Sequence, residues 1–179
     1  MMSKKYNVAI ILCDGRQINL VIDSAYAPKA VEQFVTLARG GFYDGTIFHR
    51  VIDNFMIQTG GYRLDGNTLN ELKLADTLRC IEGEFASNGY KGKSLPHTPG
   101  VISMARTSDK NSASSQFFIC SVACPHLDGE YASFGYIADG QSLSVVQDIA
   151  RVQTTDIGYG FVDFPVVPIT IRAISVVEV

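Results

Sequence analysis

The sequence predicts a mainly-β fold, an antiparallel barrel or sandwich with two helices, on three observations. Short strand-like runs recur along the chain, turn residues punctuate them, and helical periodicity shows at two places, near residues 28–39 and 142–151. A βαβ sheet would need helices alternating with strands, which this pattern does not supply.

The opening reads as a hairpin. Tyr6 to Leu12 is strand-like, Asp14-Gly15 is a favoured tight-turn pair, and Ile18, Leu20 and Ile22 alternate with polar neighbours. Pro28 starts a helix whose stripe is Val31, Phe34, Val35 and Ala38, and Gly40-Gly41 ends it. After the turn Tyr43-Asp44-Gly45 come two short apolar runs, Thr46–Ile52 and Phe55–Thr59, separated by Asp53-Asn54. From Gly60 to Thr98 the pattern weakens into a long excursion with one short strand expected around Arg79–Phe85. Strands are expected again at Val101–Ala105, Gln116–Ser121 and Phe134–Ile137, with a polar loop at Thr107–Ser115. Leu143, Val146, Ile149 and Ala150 mark the second helix, and Pro165 and Pro168 precede a final strand, Ile169–Val177.

At 179 residues the chain has the size of one domain, expected to span 1–179. Its formal charge of −3 and scattered basic residues argue against a nucleic-acid partner. The apolar run Val8–Cys13 is short for a secretory leader, and no stretch approaches the roughly 18 apolar residues of a membrane span. A cytoplasmic location with reduced thiols is therefore expected, and no membrane association. The four cysteines show no CxxC pair, and the three histidines, His49, His97 and His126, show no metal-ligand spacing. P-loop, GxSxG and GxGxxG motifs are missing as well, so no metal or cofactor is expected. An enzyme with this inventory must act by binding and electrostatics. Cys120 sits in an apolar run, where a thiol is ordinarily inert packing.

Three blocks carry a resemblance. Phe48-His49-Arg50-Val51-Ile52 with Phe55-Met56-Ile57-Gln58, then Val101–Arg106 running on to Ser114–Cys120, then His126–Gly135, resemble the three signature blocks of the cyclophilins, in family order. The resemblance covers nearly the whole chain and has a bacterial flavour. It implies a closed eight-stranded antiparallel β-barrel capped by two helices, and peptidyl-prolyl cis-trans isomerase activity that assists protein folding.

By that resemblance Arg50 is the catalytic arginine, with Gln58 and Phe55 beside it. Met56, Phe118 and Leu127 complete, with Phe55, an apolar pocket for the proline ring. Ala105 and Arg106 lie where backbone groups pair with the bound peptide, so little is expected of the Arg106 side chain itself. Gln116, His126 and Tyr131 flank the groove. Read singly, such apolar residues would be core and Arg50 a surface ion pair. The implied partners are X-Pro peptides and unfolded clients of a monomeric protein, and cyclosporin-like ligands. For the last, His126 in place of the tryptophan of many animal members removes apolar area and a directed donor. The competing readings are a non-catalytic proline-peptide binding module, a small-molecule carrier with its ligand inside the barrel, and a thiol hydrolase.

Overall fold

The computed structural model describes residues 3–73 and 79–179. In chain order its elements are β1 (Lys5–Leu12), β2 (Gln17–Asp23), α1 (Pro28–Arg39), β3 (Arg50–Ile52), β4 (Met56–Thr59), β5 (Tyr62–Asp65) and β6 (Thr68–Glu71). Then follow β7 (Val101–Met104), β8 (Phe117–Cys120), β9 (Ser133–Ile137), α2 (Gly140–Ala150), β10 (Thr154–Thr155), β11 (Phe164–Pro165) and β12 (Ile171–Glu178). Eight strands form one curled antiparallel sheet in the order β12-β1-β2-β9-β7-β8-β4-β3.

Period-two alternation turns one side of each strand inward. Tyr6, Val8, Ile10 and Leu12 of β1 are buried and face Ile18, Leu20 and Ile22 of β2 in register. These join Phe34, Ile57, Ile102, Phe117, Ile119 and Phe134 in one core. The concave side is thus filled with side chains, which removes the carrier reading.

The barrel is not closed, contrary to the family-based expectation. β12 and β3 remain the two edges of the sheet, and between their approaches a single bridge joins Ile47 to Thr170. β3 is only three residues long, and its Val51 N–H donates to the Asp163 carbonyl (3.1 Å) instead of to β12. The chain beside it carries Pro165 and Pro168, which have no N–H to extend a ladder.

The excursion is more ordered than its sequence pattern. β5 and β6 form a hairpin around Gly66, whose φ is 58°. The expected strand near 79–85 reduces to one bridge between Ile81 and Ala113, and the part of the excursion at 74–78 lies outside the described residues. Residues 82–84 have another task. α1 has Ala27 as its N-cap, which offers no side-chain cap, and Glu84 supplies one from 54 to 55 residues away. Its two carboxyl oxygens accept from the Lys29 N–H (2.9 Å) and the Ala30 N–H (3.0 Å), satisfying two of the unpaired donors of the first turn. α2 is capped locally, by Asp139 accepting from Ser142 N–H (2.7 Å).

Glu84→Ala should therefore lower stability by about 1–2 kcal/mol, the range for losing a helix cap, in urea denaturation. Glu82→Ala, which removes an exposed partner of Lys29, should change it by less than about 0.5 kcal/mol.

Candidate active site

Strand register places the site. Arg50 on β3 lies opposite Gln58 on β4, Gln58 opposite Phe118 on β8, and Phe118 opposite Ser103 on β7. Directly paired residues share a face, so these four form one row across four strands. The alternate row, Val51, Ile57, Ile119 and Ile102, is at most 1% exposed and belongs to the core.

On the outer face Phe118 is packed among Met56, Cys120, Cys124 and Leu127, with Phe55 and Tyr131 at the margin. Here lies a cavity of about 120 Å³, and every residue that lines it was predicted for the site. It brings together Arg50, Phe55, Met56, Gln58, Ala105 and Arg106 with Phe118, Leu127 and Tyr131. Pockets for drug-sized ligands run roughly 300–1,000 Å³; this one suits a small ring.

Arg50 is about half exposed and is approached from two sides. Nη1 donates to Gln58 Oε1 (3.3 Å), while Nε stands 4.0 Å from an Asp163 carboxyl oxygen. Gln58 Nε2 in turn donates to Gln116 Oε1 (3.0 Å). Gln116 does not line the cavity, so it acts on Arg50 through Gln58. Gly61 makes room for it: a Cβ there would fall 2.4 Å from Gln116 Nε2. His126 also lies off the cavity, exposed, its ring tilted against Phe55 at 5.4 Å.

The Arg106 side chain does more than expected. Its guanidinium lies 5.0 Å from the Phe85 ring and 4.5 Å from the Tyr131 ring, and it donates to the carbonyls of Glu130 (2.9 Å) and Thr107 (2.9 Å). It thereby ties the wall that carries Tyr131 to the loop after β7, and Tyr131 meets Phe118 edge-on at 5.6 Å. A small substitution at Arg106 removes that tie as well as a charge.

Behind Phe118 is a group that the sequence reading did not find. His97 Nδ1 pairs with Asp128 (2.9 Å), its Nε2 with Ser103 Oγ (3.1 Å), and its ring stacks on Phe118 at 6.1 Å. The types are those of a hydrolytic triad, but Ser103 and His97 are buried beneath Phe118 and no substrate atom can reach them. Burial lowers the His97 pKa against the opposing pull of Asp128, which favours a neutral hydrogen-bonded ring. Residues 97, 103 and 128 show no mutual spacing in the sequence that could have joined them.

The thiol reading also fails. Cys120 and Cys124 are buried, and burial pushes both thiols up, away from thiolate. Among the described residues there is no group of three His, Cys, Asp or Glu side chains able to hold a metal ion, and no helix long and apolar enough to cross a membrane.

The family model described as cyclophilin type peptidyl-prolyl cis-trans isomerase/CLD matches residues 8–176. The chain belongs to the cyclophilin family. It is 39% identical over 172 residues to peptidyl-prolyl cis-trans isomerase A of Dickeya dadantii, covering 94% of this chain and 84% of that one. It is 38% identical over 168 residues to a peptidyl-prolyl cis-trans isomerase of Streptomyces antibioticus, covering 89% and 92%. Among solved structures it resembles a cyclophilin type isomerase of Cryptosporidium parvum in the presence of the dipeptide Ala-Pro, with a TM-score of 0.74 at 29% identity over 96% and 98% of the two chains. This cyclophilin is therefore a peptidyl-prolyl cis-trans isomerase, as its family and its named relatives are.

One titratable group beside the site, His49, contributes to the loss of stability in acid, as does the buried His97. His49 is buried against Tyr62 (4.7 Å) and Phe161 (6.2 Å), and its Nδ1 has no hydrogen-bond partner. Burial, aided by the charge of Arg50 and opposed by Gln116, lowers its pKa to about 4. The unfolded chain then binds more protons than the folded one between the ordinary histidine value near 6.5 and about 4. The His49 contribution to stability should be full above that window and fall as pH drops through it, by roughly 3 kcal/mol. His49→Phe should flatten this slope in urea denaturation from pH 7 to 4. A second variant, Gly61→Ala, should displace Gln116 and lower kcat/KM about fivefold, the worth of one neutral hydrogen bond, in an X-Pro isomerisation assay.

Proposed function

We propose that the outer-face cavity is where this cyclophilin isomerises X-Pro bonds of peptides and unfolded chains, with Arg50 as the catalytic residue. The observation that supports this best is the convergence of a fixed guanidinium and an apolar ring-sized cavity on the same few residues. Rotation about the X-Pro bond is opposed by amide resonance, a barrier of roughly 18–20 kcal/mol. Lowering it requires no nucleophile and no proton transfer, only a site that binds the twisted amide better than either planar isomer.

Phe55, Met56, Phe118 and Leu127 would hold the proline ring, with Tyr131 closing the side. As the amide twists, its nitrogen becomes pyramidal and gains a lone pair, and Arg50 can donate to it. Gln58 accepts from Arg50 and so sets the direction of the guanidinium before substrate arrives, which is the preorganisation that makes a donor effective. The Ala105 N–H already donates to the Gln116 carbonyl (3.0 Å), which leaves the Ala105 carbonyl to meet an extended substrate backbone. His126, at the rim, gives less apolar cover than an indole would, so cyclosporin-like ligands should bind weakly.

A binding module of the same fold would need the apolar cavity but not the oriented donor. Arg50→Ala should lower kcat/KM for a short X-Pro peptide by about 2–4 kcal/mol of transition-state stabilisation, the range for one preorganised donor. Arg50→Lys should recover only a small part, since a lysine keeps the charge but not the planar fork. Peptide binding by wild type without acceleration would replace the enzyme with the binding module.

A further inference from the structure

The segment 157–167 leaves apolar surface uncovered beside the site. Ile157, Val162, Val166 and Val167 are exposed, and Tyr159 is wholly so. Yet the segment is tied down. Phe161 N–H donates to the Gly158 carbonyl (3.0 Å), Ile157 N–H to the Phe161 carbonyl (3.1 Å), and Val166 N–H to the Gln153 carbonyl (2.9 Å). Gly158, Tyr159 and Gly160 have successive positive φ values of 82°, 55° and 88°. Glycine adopts these freely; a tyrosine there is unfavourable and is held only by its surroundings. The turn presents an aromatic ring to solvent at a position where glycine would be the easier residue.

The segment forms one wall of a second cleft, of about 300 Å³, whose other side is His49, Tyr62 and Gln116. Arg50 and Gln58 belong to both clefts, so this one begins on the far side of the same guanidinium. Phe161 meets Tyr62 edge-on at 5.1 Å. Beyond, Tyr62, Tyr159 and Phe161 continue as part of an apolar depression that reaches Leu64 and Leu69 of the β5–β6 hairpin. One groove thus runs from the proline cavity past Arg50 and along the hairpin.

We propose that this groove is a second client subsite, taking apolar and aromatic side chains that flank the X-Pro bond in an unfolded polypeptide. The proposal rests on the proline cavity being the catalytic site. A cavity of about 120 Å³ admits little beyond the ring itself. An extended chain advances roughly 3.3 Å per residue, so a chain that runs past Arg50 brings residues a few positions from the proline into the adjoining cleft. Charge does not select the occupant, because Asp163 sits beside Arg50 and offsets it. Beside the polar His49, Gln58 and Gln116, Tyr62, Tyr159, Phe161 and Val162 supply an aromatic and aliphatic wall, and exposed apolar surface of this kind marks interaction sites. Folded proteins hide matching side chains, so the groove favours unfolded chains.

The test compares two peptides with one X-Pro core, flanked by three alanines on each side or by phenylalanine and leucine, in wild type, Tyr159→Gly and Val162→Ser. Tyr159→Gly suits the positive φ and so should not impair folding. Wild type should show kcat/KM about tenfold higher for the apolar-flanked peptide. That preference should drop to about twofold or less in Tyr159→Gly, with the alanine-flanked rate unchanged. An equal preference in wild type and variants, or none in wild type, overturns the proposal. Binding of the apolar peptide with its proline replaced by alanine, followed by fluorescence anisotropy, decides the subsite separately. If wild type accelerates neither peptide, the catalytic reading fails; Tyr159-dependent binding then still supports the groove, and binding indifferent to Tyr159 overturns it.

Discussion

The register of β3, β4, β8 and β7 is the constraint on which the rest depends. Because side chains alternate with a period of two, a slip of one residue in any of these pairings would exchange the rows. Val51, Ile57, Ile119 and Ile102 would leave the core, and Arg50, Gln58 and Phe118 would enter it. The apolar row fixes the register by burial, and the row of Arg50, Gln58 and Phe118 is placed as a consequence. Burying an aliphatic side chain contributes about 1.5–3 kcal/mol, so four such residues weigh far more than the single hydrogen bond between Arg50 and Gln58. Core packing positions the guanidinium; the polar contacts only refine its direction.

The polar parts beside that row are supported in the same economical way. Gly61 admits Gln116, Gln116 holds Gln58, and Gln58 orients Arg50. On the other side Arg106 spans Phe85 and Tyr131, and His97 backs Phe118. Gln58, Phe118 and Tyr131 are thus each braced by a residue distant in sequence, Gln116, His97 and Arg106. That is what a site working by preorganisation requires, since a donor that must reorient during the reaction gives up part of its effect.

Much of this was legible in the sequence, and the limits have physical causes. Alternation exposed β1 and β2, because a long half-buried strand writes its burial into every second residue; in β12 the buried Ile171 and Ile174 stand three apart, where the pairing with β1 shifts register. α1 and α2 declared themselves by period and by Pro28 and the glycines after Arg39. The β5–β6 hairpin did not, since each of its strands is four residues long and its apolar face is only Tyr62, Leu64 and Leu69, too few to show a period among polar neighbours. Closure of the barrel could not be read either, because it depends on pairing between residues near 47 and 170, where the structure makes a single bridge. Motif resemblance found the residues that line the cavity, but not Glu84, His97 or the Phe85–Arg106–Tyr131 stack. Most of their contacts cross 21 to 55 positions of chain, and their types are ordinary where they stand.

The central claim is that this cyclophilin lowers the barrier by electrostatic stabilisation of the twisted amide, with no proton moved in the transition state. The solvent isotope effect on kcat/KM for a short X-Pro peptide, measured in H2O and D2O at matched acidity, tests it most directly. The account predicts a ratio close to about 1, because the guanidinium donates a hydrogen bond and keeps its protons. A normal ratio of about 2 or more would show a proton in flight in the rate-limiting step and would contradict it.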